Sequence, residues 1–316
     1  MNALAYSVLL VLLLPVPVSA WAQIGHHVIP VMAFNLLSDS ERAELIAILR
    51  THPRFAEDFT PPEGTRDLDR WYIGRAGYWP DVARRLGEQW DRPTWHSELG
   101  WTLIIGDEAT MDIPSPPGPL PPDATLKTQN LYASQAIELC RRVLADTSQP
   151  NEMRAVAVTW LAHLVADIHQ PCHSGAMYVE KAFPEGDRNA NKIPVRQASS
   201  LHSAWDGLLG RQYDRDAVNR QVAEIASDAE LMANGRMAAV DLDPLTWIRE
   251  SREAAIRATY TDEVLEPVLA VSRGLAVRIP PIDLSQDYLK NAAAVARVRA
   301  AQAAHRLAAV WREALR

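Results

Sequence analysis

The stretch between Pro150 and Pro171 constrains this chain more than any other. Proline fits the first turn of a helix but breaks the hydrogen-bond ladder of its interior. Apolar residues at helical density fill the interval, so the sequence predicts one helix opened by Pro150 and Glu152 and running to about Ile168. Residues four apart on a helix share a face. His163 and Asp167 therefore project side by side near the helix C-terminus. Pro171 then turns the chain, and His173 arrives on a separate backbone segment. Two imidazoles and a carboxylate within a few ångströms form a ligand set that zinc takes.

His202-x3-Asp206 repeats the spacing, on a short helix expected after Ser199 and Ser200 and ending near Gly207 or Gly210. One such pair is commonly a surface ion pair. Two pairs with His173 near them, in a chain of only nine histidines, point to metal. His26 lies five residues after Trp21, Asp81 sits in the turn after Trp79-Pro80, and His96 follows Trp95. His169 either orients a ligand from behind or caps the helix, and His305 is either packed or solvated on the last helix.

Residues 8–14 form an unbroken apolar run and Val18-Ser19-Ala20 is a small-residue cleavage site, so residues 1–20 read as a signal peptide. The run is too short to span a bilayer as a mature helix. Cleavage after Ala20 leaves residues 21–316, secreted or periplasmic, with no membrane anchor. It also frees the α-amino group of Trp21. A neutral amine and the adjacent carbonyl can chelate a metal together, and His26 can complete the set.

The net charge is −7 and no basic run occurs, which argues against holding nucleic acid on a Lys/Arg surface. Bound metal ions can supply local positive charge instead. The two cysteines, Cys140 and Cys172, either form one disulfide or lie buried and unpaired. A Ser38-x-x-Glu41 capping box leads into a helix that carries Leu45, Ile46 and Leu49, and further helices are expected over 71–86 with a break near Pro80, 127–144, 218–231, 245–260 and 286–315, the last either continuous or broken once. Residues 101–105 are the best strand candidate. Thr60, Pro61, Pro62 and Gly64 mark one loop, and the proline-rich residues 107–125 a second, either surface decoration or a substrate-contact loop. No repeat or linker is visible. The expectation is an all-α protein with one helical domain over residues 21–316, acting as a monomer.

The motifs Trp21-x4-His26, Trp79-x-Asp81, His96, His163-x3-Asp167-x-His169-Gln170-Pro171-x-His173 and Leu201-His202-x2-Trp205-Asp206 follow one another along the chain. They resemble the single-strand-specific zinc nucleases of fungi, plants and bacteria, the S-one/P-one nuclease family, which has the zinc phospholipase C fold. Asp187 to Val195, Trp247-x2-Glu250-Ser251 and Arg306-Leu307-Ala308 are weaker echoes. The resemblance implies an all-helical fold and three zinc ions in a cleft. Asp81, His96, His163 and Asp167 would hold the first, and the Trp21 amine and carbonyl, His26 and Asp167 the second. His173, His202 and Asp206 would hold the third.

The implied activity is cleavage of single-stranded DNA and RNA to 5′-phosphate products, removal of 3′-phosphates from nucleotides, or both. Zinc-bound hydroxide would attack phosphorus in line. Asp81 and Asp167 would serve catalysis as ligands. Arg84, three residues after Asp81, either neutralises charge in the transition state or is solvated beside Arg85. Two departures stand out. Ser97, Glu98 and Leu99 follow His96 where relatives carry an aromatic residue and then an acid or amide for the base. Asn189-Ala190-Asn191 stands where they often have Gly-Gly-Asn. The alternatives are a phospholipase C-like enzyme acting on head groups, disfavoured by the short Trp21–His26 gap and by Asp206, and a zinc-binding protein without catalysis.

Overall fold

The computed structural model describes residues 21–316; the signal-peptide expectation lies outside them. Twelve α-helices occur among the described residues, with two short strands. In chain order the helices are α1 (Gln23–Asn35), α2 (Asp39–Leu49), α3 (Phe55–Asp58), α4 (Leu68–Ala83), α5 (Ala133–Ala145) and α6 (Asn151–Ile168). They continue with α7 (Leu201–Asp206), α8 (Arg215–Ser227), α9 (Ala229–Ala238), α10 (Pro244–Ala254), α11 (Asp262–Ser272) and α12 (Gln286–Ala314). Strands β1 (Trp101–Ile105) and β2 (Ala176–Val179) pair in parallel, with an irregularity between Trp101 and Leu103. The expected all-α class is the observed one. No described helix is long and apolar enough to cross a membrane.

Helices α1 and α6 are buried on every side rather than along one stripe. A helix of that kind is the core of a larger protein. α1 packs against α4, α8 and α12, and α6 against α2, α4 and α5. Ala296, Ala300, Ala303 and Ala304 of α12 are fully buried, which lets that long helix approach its neighbours closely. Trp21, Trp79, Trp95, Trp160, Trp205, Trp247 and Trp311 are each less than 2 % exposed. Truncating one such side chain to alanine costs about 3–5 kcal/mol. A second cluster gathers Cys172, Met177, Leu201, Trp205 and Tyr260. The end of α6 belongs to the first cluster and α7 to the second, so their ligand candidates meet at the seam.

Several boundaries differ from expectation, each for a local reason. α4 runs through Pro80 without a break, although proline has no N–H for the Ala76 carbonyl. Trp79, fully buried and donating Nε1–H to Asp58 Oδ2 at 2.9 Å, pins that turn by tertiary contact. The expected helix from 127 starts only at Ala133, because residues 125–128 close a turn and Glu98 Oε2 caps the Ser134 N–H at 2.9 Å. The span 218–231 is two helices, since Asp228 accepts from Glu230 and Leu231 and opens α9. The span 245–260 is α10 followed by a π-turn at Ala255–Thr259. The partner strand β2 and helix α11 were not expected. Both cysteines are buried and unpaired, so the disulfide alternative falls.

Candidate metal centre

One glycine fixes how the first ligands meet. Pro30 lies inside α1 and has no N–H to give the His26 carbonyl. α4 crosses at that point with Gly77, where a Cβ would stand 2.3 Å from His26 O and 2.4 Å from Pro30 Cγ. Only glycine allows the approach. The Gly77 carbonyl in turn accepts the Nδ1–H of His163 on α6, at 2.8 Å. Three helices thus converge, and His26, Asp81, His163 and Asp167 converge with them.

Asp167 is the hub. Its Oδ1 lies 3.4 Å from His26 Nε2, and its Oδ2 lies 3.1 Å from His163 Nε2 and 3.2 Å from His96 Nδ1. The His26 and His163 rings stack at 4.0 Å, and His163 Nε2 is 2.8 Å from His96 Nδ1. Trp160 supports His96 edge-on at 5.5 Å. Asp81 faces Arg84, with Nε 3.2 Å from Oδ1. The beginning of the described chain is stitched into the same place. Trp21 donates Nε1–H to Ala166 O at 2.9 Å, and the Ala22 N–H bonds Asp206 O at 2.9 Å.

The second constellation is formed by His173, His202 and Asp206. His173 donates its Nδ1–H to His96 O, and His202 donates its own to Asn189 O, each at 2.5 Å. These carbonyls fix the tautomers: both Nε2 atoms carry lone pairs when the rings are neutral. The two Nε2 atoms nevertheless face each other at 2.9 Å, with Asp206 Oδ2 3.5 Å from His202 Nε2. Gln170 Nε2–H steadies the other Asp206 oxygen at 2.7 Å. Two lone pairs aimed at one point repel unless a cation lies between them.

Electrostatics lead to the same requirement. Burial holds the His26, His96 and His173 imidazoles well below their usual range. They are therefore neutral, the form that binds metal. Burial pushes the Asp167 carboxyl up to about 6 against the pull of His163. Burial also lowers His163, but the Asp167 charge more than offsets this and raises it. The pair thus holds one proton between them. Burial takes Asp206 well above the ordinary carboxylate range. His26 Nε2, Asp167 Oδ1 and both Asp81 oxygens are buried with no hydrogen-bond partner among the described residues. Each such atom costs about 1–3 kcal/mol. A cluster of them made of nitrogen and carboxylate oxygen fits zinc, and metal uptake would displace the shared proton. Three groups, His26/His163/Asp167, Asp81/His96/His163 and His173/His202/Asp206, bring their ligand atoms within 4.8 Å of one another.

The family model described as S1/P1 Nuclease matches residues 21–316. The chain belongs to the S1/P1 nuclease family. Endonuclease 4 of Arabidopsis thaliana is 27% identical to it over 161 residues, which cover 48% of this chain and 48% of that relative. The chain thus spans about half the length of the curated relative it matches. In this S1/P1 nuclease family member, all eight side chains expected as ligands fall into the three groups. Arg84 borders the cleft beside them, with an 18% exposed side chain.

Several contributors to the site carry no mark in the sequence. The carbonyls of Gly77, His96 and Asn189 orient three rings, and backbone acceptors carry no residue signature. Gln170 and Asp187 stand within the motifs and act behind the ligands. Asp187 accepts from the Met177 N–H at 3.0 Å and the Tyr260 hydroxyl at 2.8 Å, and anchors the loop that supplies the Asn189 carbonyl. His169 resolves to the capping alternative: it ends α6, with Nδ1–H on Val165 O at 2.7 Å. Glu98 is turned away from the cleft onto α5.

Proposed function

We propose that this chain is a secreted or periplasmic zinc-dependent phosphoesterase that cuts single-stranded DNA and RNA to 5′-phosphate products and removes the phosphate of 3′-nucleotides. The observation that carries this is Asp167, buried and shared by His26, His96 and His163 in a member of the S1/P1 nuclease family. Asp81, His96, His163 and Asp167 would hold one zinc ion. The Trp21 amine and carbonyl with His26 and Asp167 would hold a second, and His173, His202 and Asp206 a third. Zinc bound there lowers the pKa of a water to about 7 and offers positive charge to phosphoryl and departing oxygens. The chain's own part is to hold the ligand rings in one tautomer through Gly77, His96 and Asn189 carbonyls, so that no reorganisation accompanies the reaction. Arg84, steadied by Asp81, offers its guanidinium to the charge that gathers on the phosphoryl oxygens.

The test takes purified protein beginning at Trp21 and measures zinc by elemental analysis, with turnover of single-stranded DNA, RNA, 3′-AMP and phosphatidylcholine vesicles. Three zinc ions per chain, nucleic-acid cleavage and 5′-phosphate ends are expected. A matched protein with one extra residue before Trp21 should lose one zinc ion and most turnover while keeping its helical circular dichroism. Hydrolysis of phosphatidylcholine alone would make the protein a phospholipase. Zinc without turnover would make it a binding protein, and one zinc ion or fewer would sink the trinuclear site.

A further inference from the structure

We infer that Arg188 forms a separate phosphate subsite, which grips the strand one phosphate away from the bond being cut and leaves the bases unread. This rests on the proposed function. The cleft over the ligands has a volume of about 280 Å³, and its rim is made by Arg84, Pro93, Ser97, Arg188, Asn189 and Asn191. No Phe, Tyr or Trp lines it among the described residues. Proteins that hold single strands usually stack bases on aromatic rings, worth about 1–3 kcal/mol per base. Here Ser97 and the inward-turned Glu98 provide no platform. Affinity must then come from the backbone phosphates and the cations that meet them.

Two arginines border this cleft. Arg84 is partly neutralised by Asp81 at 3.2 Å and sits beside the ligands. Arg188 is exposed, and its guanidinium makes no ion pair or hydrogen bond among the described residues. Its backbone is nevertheless firmly placed. Arg188, Asn189 and Ala190 have φ of 55°, 57° and 64°, three consecutive non-glycine residues in the left-handed region. Each costs roughly 1–2 kcal/mol. Asp187 offsets this by taking the Met177 N–H and Tyr260 hydroxyl on its carboxylate, and Asn189 Nδ2 donates to Cys172 O at 2.8 Å. The Asn189 carbonyl fixes His202 of the third group, so Arg188 is held one residue from a contact that defines the metal site. A free charge on a rigid loop, beside a cleft with no stacking ring, suits a phosphodiester oxygen.

The experiment compares wild type with Arg188→Gly and Arg188→Lys. Glycine adopts the left-handed conformation without strain, so the loop is kept while the charge is lost. Zinc content and unfolding temperature confirm that the site is intact. Equilibrium binding and kcat/KM are measured on a single-stranded oligonucleotide and on 3′-AMP, across a salt series. In Arg188→Gly the oligonucleotide should lose about tenfold more than 3′-AMP, the scale of one charge-assisted phosphate contact. The slope of log affinity against log salt should fall by about 0.7, one phosphate's share on a single strand. Arg188→Lys should keep that slope, and wild type should cut homopolymers of the four bases at similar rates. Equal losses on both substrates would place Arg188 at the scissile phosphate and overturn the subsite. So would an unchanged slope, or a base preference that vanishes with Arg188. Binding that behaves as expected without turnover would sink the proposed function and leave the subsite standing.

Discussion

Two buried polar clusters lie at the last turns of α6, and they differ in how they close. Asp167 and His169 are two residues apart, about 200° around a helix, so they serve different sides. On the His169 side, Arg306 donates to His169 Nε2 at 3.0 Å and to both Glu250 oxygens at 2.6 and 2.7 Å. Arg299 joins Glu250 at 2.8 Å and Ser251 Oγ at 2.7 Å, and Ser251 donates onward to Ile168 O. Cations thus meet the negative end of the helix, and nearly every donor finds an acceptor. On the Asp167 side, lone pairs and carboxylate oxygens converge with too few protons among them. The first cluster is finished by the chain itself. The second has a deficit of positive charge that the sequence alone does not fill. Burial of polar groups therefore identifies neither role; the balance of donors against acceptors does.

The comparison breaks hardest at Asp167. Asp167→Asn removes the charge that three imidazoles share, and turnover of single-stranded DNA should fall more than about 1,000-fold, as when one member of a catalytic unit is lost. Zinc content should fall with it while circular dichroism stays helical. Near-wild-type turnover with full zinc would mean that the deficit is not what the metal answers. The opposite side gives a different failure. Glu250→Leu leaves Arg299 and Arg306 buried without their counter-charge and should destabilise the fold by about 3 kcal/mol, the low end for a broken buried pair because Glu250 is partly exposed. Denaturant unfolding measures this, and zinc per folded chain should not change. Loss of zinc without loss of stability would erase the distinction between the clusters. The smallest effect sharpens the boundary between them. Gln170→Ala deletes the hydrogen bond to Asp206 and should weaken the zinc ion proposed at His173, His202 and Asp206 by about 10–100-fold in a chelator competition, the range for a contact behind a ligand. An unchanged competition curve would make Gln170 part of the packing only.

Much of this site was legible because its ligands come from local spacing. His163 with Asp167, and His202 with Asp206, need only one turn of helix each, and Pro171 dictates the turn that returns His173. What escaped was long-range or made of backbone. β2 is four residues, all buried, with no alternation to mark it. Gly77 reads in sequence as a helix-weakening residue, and its meaning exists only once α1 lies across α4. The left-handed run at Arg188–Ala190 did leave a trace. The resemblance implies Gly-Gly where Asn189 and Ala190 stand, which is what a left-handed segment prefers, yet this chain keeps the conformation without the glycines.

His96 belongs to both halves of the centre. Its ring faces Asp167 and His163, while its carbonyl holds the Nδ1–H of His173. The two ligand sets are therefore not independent instruments. They share a coordinate, the position of residue 96, and whatever settles the ring also settles the carbonyl. In the language of linkage, filling one set changes the free energy of filling the other by a reciprocal amount. The centre is then better regarded as one cooperative unit than as ligand sets that happen to be close.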